Sequence, residues 1–192
     1  MSRPQRYFAL RQDVHVPGRW YLGEPAGNDG QELEDIWQFT EGRSLHIDQR
    51  LQVPLYRPGK PLDFSTTGMG TTPIVHPKVA AVFEELAPGD VQLFPVHVEG
   101  QPEPHFLLNV TRLVRCIDDA ASDEVQYWKP EDGRPEKTGR YRGVIGLRID
   151  KTRAEDAKVF RTWGWTVALI VSEELKDALE RTGALGMTFT EV

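Results

Sequence analysis

The sequence predicts an α+β protein, mostly antiparallel sheet built on a central long hairpin, with two or three short helices packed against it. Three observations predict it. Strand-like runs outnumber helical ones, the helical runs stand at separate points between antiparallel-looking pairs, and one long hairpin, Val91 to Ile117, contains two of the most regular runs. In that hairpin Phe94, Val96 and Val98 alternate with Leu93, Pro95 and His97, and Phe106, Leu108 and Val110 alternate with Leu107, Asn109 and Thr111. A period of two puts successive side chains on opposite faces. The segment between the runs, Glu99-Gly100-Gln101-Pro102-Glu103-Pro104, cannot continue a ladder and is a turn. Apolar residues occupy both faces, so the pair is expected to be covered on two sides, with Pro95 at an unpaired edge or a bulge.

Length and composition bound the rest. A chain of 192 residues can bury a substantial core as a single domain, here expected over 1–192, with a loop-rich part to about residue 75 and a more regular part from about 76. With 39% hydrophobic and 27% charged residues the chain is globular in character, and 14 prolines with 17 glycines predict short elements and long connections. A net charge of −6 argues against a nucleic-acid partner bound through phosphate neutralisation, and equally serves plain solubility. The lone Cys116 excludes an internal disulfide and a cysteine-based zinc site. Met1-Ser2-Arg3-Pro4-Gln5-Arg6-Tyr7 lacks a signal-peptide core and no run could span a bilayer, so the expected compartment is the cytoplasm, with no membrane partner.

In chain order, Tyr7, Phe8 and Leu10 form a first strand that stops by Pro17-Gly18. Trp20 to Pro25 and a loop at Asn28-Asp29-Gly30 follow, and then Ile36-Trp37-Gln38-Phe39 reads as a short strand. Trp20, Trp37 and Phe39 are read as anchors pinning loops to the core, with a partner-binding surface as the alternative. Leu45 to Leu55 is extended, and Leu62 to Pro73 is an irregular Gly/Thr-rich passage without the Gly-Lys-Ser/Thr ending of a phosphate loop. Val79, Val82, Phe83 and Leu86 lie at i, i+3, i+4 and i+7 with Glu84 and Glu85 opposite, an amphipathic helix opened by Pro77 and closed by Pro88-Gly89. After the long hairpin come an acidic run from Asp118 to Glu124, a strand from Val125 to Trp128, and a turn-rich loop from Lys129 to Gly139. Tyr141 to Ile149 resumes as a strand, and Asp150 caps a short helix through about Lys158. Val159 to Thr162 and Trp165 to Val171 are strands around the break at Gly164. Ser172 caps a helix carrying Glu173 and Glu174 in its first turn and ending at Gly183, and Met187 to Phe189 is a last strand.

Candidate chemistry is sparse. His97 and His105 flank the hairpin turn and, if opposite each other, could share a metal with Glu99 or Glu103; Cys116 with either histidine would pair a nucleophile with a base. A small hydrolase or metal-dependent enzyme is the alternative these residues carry. The bland readings are polar strand ends and a small buried hydrophobe. Asp118, Asp119, Asp123 and Glu124 could serve acid/base or Mg²⁺ chemistry, but an acidic run between strands is more often a solvated loop, and attraction of a basic protein needs less geometric precision. No Gly-x-Ser-x-Gly, His-Glu-x-x-His or dinucleotide pattern occurs. The residues themselves thus designate no catalytic, metal or cofactor site.

A set of short elements resembles one family along nearly the whole chain. They are Trp20 to Pro25, Trp37-Gln38-Phe39, Leu93-Phe94-Pro95-Val96 after a helix, Leu108-Asn109-Val110 with Cys116-Ile117-Asp118, Ile149-Asp150, Val159-Phe160-Arg161, Leu169 to Glu173 leading into a helix, and Gly183 to Gly186 with Phe189 at the end. The pattern is similar to immunity proteins of bacterial polymorphic toxin systems, in the family common in myxobacteria called immunity family eleven. The resemblance implies a non-enzymatic protector used in bacterial competition, which binds the catalytic domain of a toxin encoded beside it and blocks it in the cytoplasm. It supplies no catalytic residues, cofactor or oligomeric state. Contact surfaces are expected in the loops, at Asp118, Asp119, Asp123, Glu124, Trp128, Glu131 and Asp132. A weaker alternative is a self-assembling module whose exposed tryptophans pair between copies.

Overall fold

The computed structural model describes residues 5–69 and 71–192. The expectations for Met1 to Pro4 and for Gly70 in the Gly/Thr passage lie outside the described residues. In chain order the strands are β1 (Tyr7–Gln12), β2 (Tyr21–Leu22), β3 (Leu51–Val53), β4 (Leu55–Arg57), β5 (Phe64–Thr66), β6 (Pro73–Val75), β7 (Val91–Val98) and β8 (His105–Val110). They continue with β9 (Leu113–Val114), β10 (Glu124–Tyr127), β11 (Tyr141–Ile145), β12 (Val159–Thr162), β13 (Trp165–Ser172) and β14 (Met187–Glu191). Helix α1 (Pro77–Leu86) lies between β6 and β7, and α2 (Glu173–Arg181) follows β13. The class is α+β, with strands predominating.

Two five-stranded sheets carry the fold, one in the order β14-β1-β13-β12-β9 and the other β3-β7-β8-β6-β5. Neighbours are antiparallel except for the parallel pairs β9 with β12 and β3 with β7. Both sheets bury both faces, so their sequences read as near-continuous apolar runs. Phe8, Leu10, Val75, Leu108, Leu169 and Val171 join Val79 and Phe83 of α1 and Leu175 and Leu179 of α2 in a core shared by the two sheets. The opposite face of the first sheet packs Tyr7, Ala9, Phe160 and Ile170 with Cys116, Leu147 and Ile149. The opposite face of the second packs Ile74, Leu107, Val96 and Val98 with Trp20, Leu22 and Phe39.

The helix ends follow their sequence signals. His76 Nδ1 accepts from Lys78 N at 3.1 Å ahead of Pro77 at the first turn of α1. Ser172 Oγ accepts from Leu175 N at 3.3 Å, Glu173 and Glu174 occupy the first turn of α2, and Gly183, at φ +65°, supplies the left-handed stop.

Several sequence expectations are corrected. Ile36–Thr40 is a 3₁₀ turn rather than a strand, because Asp35 accepts from Trp37 N at 2.8 Å and caps it. The Leu62 to Pro73 passage contains β5, paired antiparallel with β6. Leu45 to Leu55 is extended in ladder form only from Leu51, where β3 runs parallel to β7. The second arm of the long hairpin ends at Val110, and the chain then crosses to the other sheet as β9. The hairpin is therefore internal to one of two equal sheets, and it is the core between them that organises the chain. Pairing of β7 with β3 begins at Val96, which leaves Pro95 without a β3 partner. Tyr141 to Ile149 is interrupted at Gly146, whose φ is +58°. The turn capped by Asp150 spans only Lys151–Ala154.

A candidate partner-binding hairpin

β10 and β11 form a two-stranded sheet of their own, antiparallel, in register from Glu124 opposite Ile145 to Tyr127 opposite Tyr141 with a bulge at Gln126 and Tyr127. The ladder continues one step into the loop, with Trp128 N donating to Arg140 O at 2.9 Å and Gly139 N to Trp128 O at 3.1 Å. Lys129 to Gly139 is ordered by two 3₁₀ turns, Pro130–Asp132 and Pro135–Lys137. The hairpin is tied to the turn between β12 and β13 by Tyr141 N donating to Gly164 O at 3.1 Å. Gly164 has φ +81°, and a Cβ there would lie 3.0 Å from the Tyr141 ring, so both the turn and the packing call for glycine.

Most of the acidic candidates lie on or beside this hairpin, and several are engaged in holding it. Asp118 Oδ1 accepts from Ala120 N at 3.1 Å and Ala121 N at 3.0 Å, closing its own turn. Asp119 accepts from both phenols of a tilted ring pair: Tyr127 OH, and Tyr141 OH at 2.6 Å, with the rings 4.7 Å apart. The Asp119 hydrogen bond is the largest cause raising the Tyr127 pKa. For Tyr141 burial comes first and the bond to Asp119 second, because a phenolate there would lose solvent and meet the carboxylate. Asp132 accepts from Lys129 N at 2.8 Å and pairs with Arg142 at 3.3 Å. Asp123, Glu124 and Glu131 are exposed, Glu124 accepting from Gln126 Nε2 at 2.6 Å. Trp128, half-buried, carries Lys137 Nζ at 5.1 Å and the Arg142 guanidinium at 5.2 Å from its ring.

The residues proposed for catalysis do not converge. His105 is in register with Val96, so the adjacent His97 points to the opposite face of the sheet. His97 is exposed, whereas His105 is buried beside Trp20 and His76, and burial lowers its pKa. Glu103 pairs with His76 at 3.3 Å, and Glu99 accepts from Leu55 N at 2.8 Å. Cys116 lies in a core cluster that includes neither histidine, and burial pushes its thiol up to about 12, which disfavours the nucleophilic thiolate. Among the described residues no group of three His, Cys, Asp or Glu side chains is placed to hold a metal, and no helix is long and apolar enough to cross a membrane. Of the expected aromatic anchors, Trp20 is buried and donates to Ser65 Oγ at 2.7 Å and Phe39 is fully buried in the same core, while Trp37 is 48% exposed.

Sequence reasoning missed the tyrosine pair, whose members are far apart in sequence and meet only through the hairpin register. It missed a second feature too. Beside the hairpin loop runs a groove of about 720 Å³ whose walls include Trp37, Trp163, Arg43, Arg134, Lys137 and Arg140. The available signal was the density of cations between Lys129 and Arg142.

The family model described as "Immunity protein family (Imm11)" matches residues 4–192. A search of curated proteins gave no match.

Proposed function

The chain belongs to the Imm11 immunity protein family, and from that premise we propose that it binds and neutralises a cognate polymorphic toxin in the cytoplasm as a stoichiometric, non-catalytic inhibitor. The observation that carries the reading is the family match along nearly the whole chain. The hairpin supports it physically. A two-stranded element with Trp128 and the Tyr127–Tyr141 pair presents aromatic side chains among charged ones, the composition of protein interfaces rather than of a reaction centre. Asp118, Asp119, Asp123, Glu124, Trp128, Glu131 and Asp132 remain the proposed contacts. Within that set Asp118 closes its own turn and Asp119 and Asp132 hold the hairpin, which leaves the exposed Asp123, Glu124 and Glu131 as the charges proposed to face the partner.

If the toxin is a nuclease, its basic substrate groove suits this acidic rim, with charge accelerating encounter and an aromatic centre holding the complex. The decisive experiment co-expresses the protein with the C-terminal domain of the adjacent open reading frame and scores host survival and co-purification. Rescue with a stable complex is expected. A harmless neighbour, or a toxic one that is neither rescued nor bound, would sink the reading. Within a rescuing pair, replacing Asp123, Glu124 and Glu131 by their amides should slow association roughly tenfold at low salt and far less at high salt.

A further inference from the structure

We propose that the groove beside the hairpin loop receives an acidic peptide segment of the partner, with its carboxylates on Arg134, Lys137 and Arg140 and an apolar or aromatic side chain between Trp37 and Trp163. The proposal rests on the inhibitor reading only for who the partner is.

The first argument is charge. In a chain of net −6, this groove of about 720 Å³ gathers four cations, Arg43, Arg134, Lys137 and Arg140, against one carboxylate of its own lining, Glu41. Glu41 is occupied by Arg43 at 2.6 Å, and Glu136 pairs with Arg134 at 3.6 Å, both pairs exposed and therefore weak. Lys137 lies over the Trp128 ring, and Arg140 has no carboxylate within ion-pair reach among the described residues. A positive concavity on a negative protein attracts an anionic ligand locally, whatever the net charge does at long range.

The second argument is apolar surface. Trp37, in the 3₁₀ turn capped by Asp35, is 48% exposed, although the nearby Phe39 is fully buried. Trp163 has one ring face covered by the Arg115 guanidinium at 4.3 Å. Leu113, 41% exposed, adds an aliphatic patch to the wall. Two indoles and an aliphatic patch ringed by arginines have the make-up of an interface hot spot. They also resemble a stacking platform for single-stranded nucleic acid. The charge of the chain as a whole favours the first: a polyphosphate backbone longer than the groove would meet a protein of net charge −6 outside it, whereas a short acidic segment ends inside it.

The test titrates the protein alone with a short glutamate–tyrosine copolymer, no longer than the groove, and, in parallel, with oligothymidylate, reading tryptophan emission. Copolymer should shift the emission, with affinity falling as salt rises. Arg134→Ser/Lys137→Ser/Arg140→Ser should bind it about tenfold more weakly, and Trp37→Phe, which leaves the charges in place, should abolish much of the signal. No change with copolymer, or tighter binding of oligothymidylate, would overturn the proposal. In the co-expression pair the triple variant should lose rescue; if it keeps full affinity, the partner does not use the groove. A copolymer that binds while the neighbouring gene proves harmless would leave the groove standing and remove only the inhibitor reading.

Discussion

The core between the two sheets and the β10–β11 hairpin are held together by opposite kinds of force. In the core, Phe8, Val79, Phe83, Leu108, Val171 and Leu175 are buried with no polar group to satisfy, and α1 and α2 close one side of it. In the hairpin, Val125 and Val144 are half-buried, and the order comes from Asp119 between two phenols, Trp128 between two cations and Asp132 under Arg142. Buried area is non-directional and large, whereas exposed polar contacts are directional and individually small. The chain thus separates what makes it fold from what holds its exposed hairpin in shape. Variants in the two regions should separate in the same way.

The largest expected effect breaks the core. Phe83 is fully buried on α1 against both sheets, and Phe83→Ala should lower the free energy of unfolding by about 3–5 kcal/mol, measured by denaturant titration. The partner binding proposed for the hairpin should be unaltered in the fraction still folded, since Phe83 reaches no surface. A loss of binding without loss of stability would show that the two regions are not independent.

Arg161 sharpens the comparison by violating it. Its side chain is 1% exposed, Nη1 donates to Thr166 O at 3.2 Å and to Val167 O at 3.4 Å, and Nε and Nη2 have no partner among the described residues. Burial alone lowers its pKa to about 10, which marks a guanidinium removed from water without a carboxylate in exchange. Arg161→Met keeps the volume and removes the charge, and should stabilise the protein by about 1–3 kcal/mol in the same titration. Destabilisation of similar size would mean that the two carbonyl contacts outweigh desolvation.

What the sequence disclosed follows the same division. Periodicity and capping disclose elements whose signals are local: α1 from Pro77 and its apolar spacing, α2 from Ser172 and Gly183, and β7 from its alternation. They mislead where a single side chain redirects the backbone, as Asp35 does in turning Ile36–Thr40 into a 3₁₀ turn. They are silent where the determinant is long-range. Nothing local says that Val110 ends one sheet and Leu113 joins another, or that Val96 rather than His97 pairs with His105. The acidic loop was visible as composition, but which carboxylates are spent internally depends on the hairpin register. The basic groove assembles Trp37, Arg140 and Trp163 from three separate stretches, and only the cations of the loop were visible beforehand.

Smaller effects are expected in the hairpin. Asp119→Asn removes the charge that raises both phenols, so in a spectrophotometric alkaline titration two tyrosines should ionise at lower pH than in the wild type. The change in stability should stay within about 1 kcal/mol, because the cluster lies at the surface. An unchanged titration would place Tyr127 and Tyr141 outside the reach of Asp119 in solution.

The smallest effect lies at the edge of the core, where polar contacts are again exposed. Arg6 bonds Glu191 at 2.6 Å and Glu173 at 2.9 Å, joining the start of β1 to β14 and to the first turn of α2. The hydrogen bond from Arg6 is the main cause holding the Glu191 carboxyl down to about 2, from an ordinary value of 4.5. A depressed carboxylate contributes stability that is present above its unfolded value and is lost as protons bind the folded form. The contribution should therefore fade as pH drops from 4.5 through about 2. In Arg6→Gln that part of the acid limb should flatten, and added salt should flatten it in the wild type as well, because the groups face solvent. If the two proteins lose stability in parallel over this range, the acid limb belongs to other carboxylates, and the contact is geometry without consequence for folding.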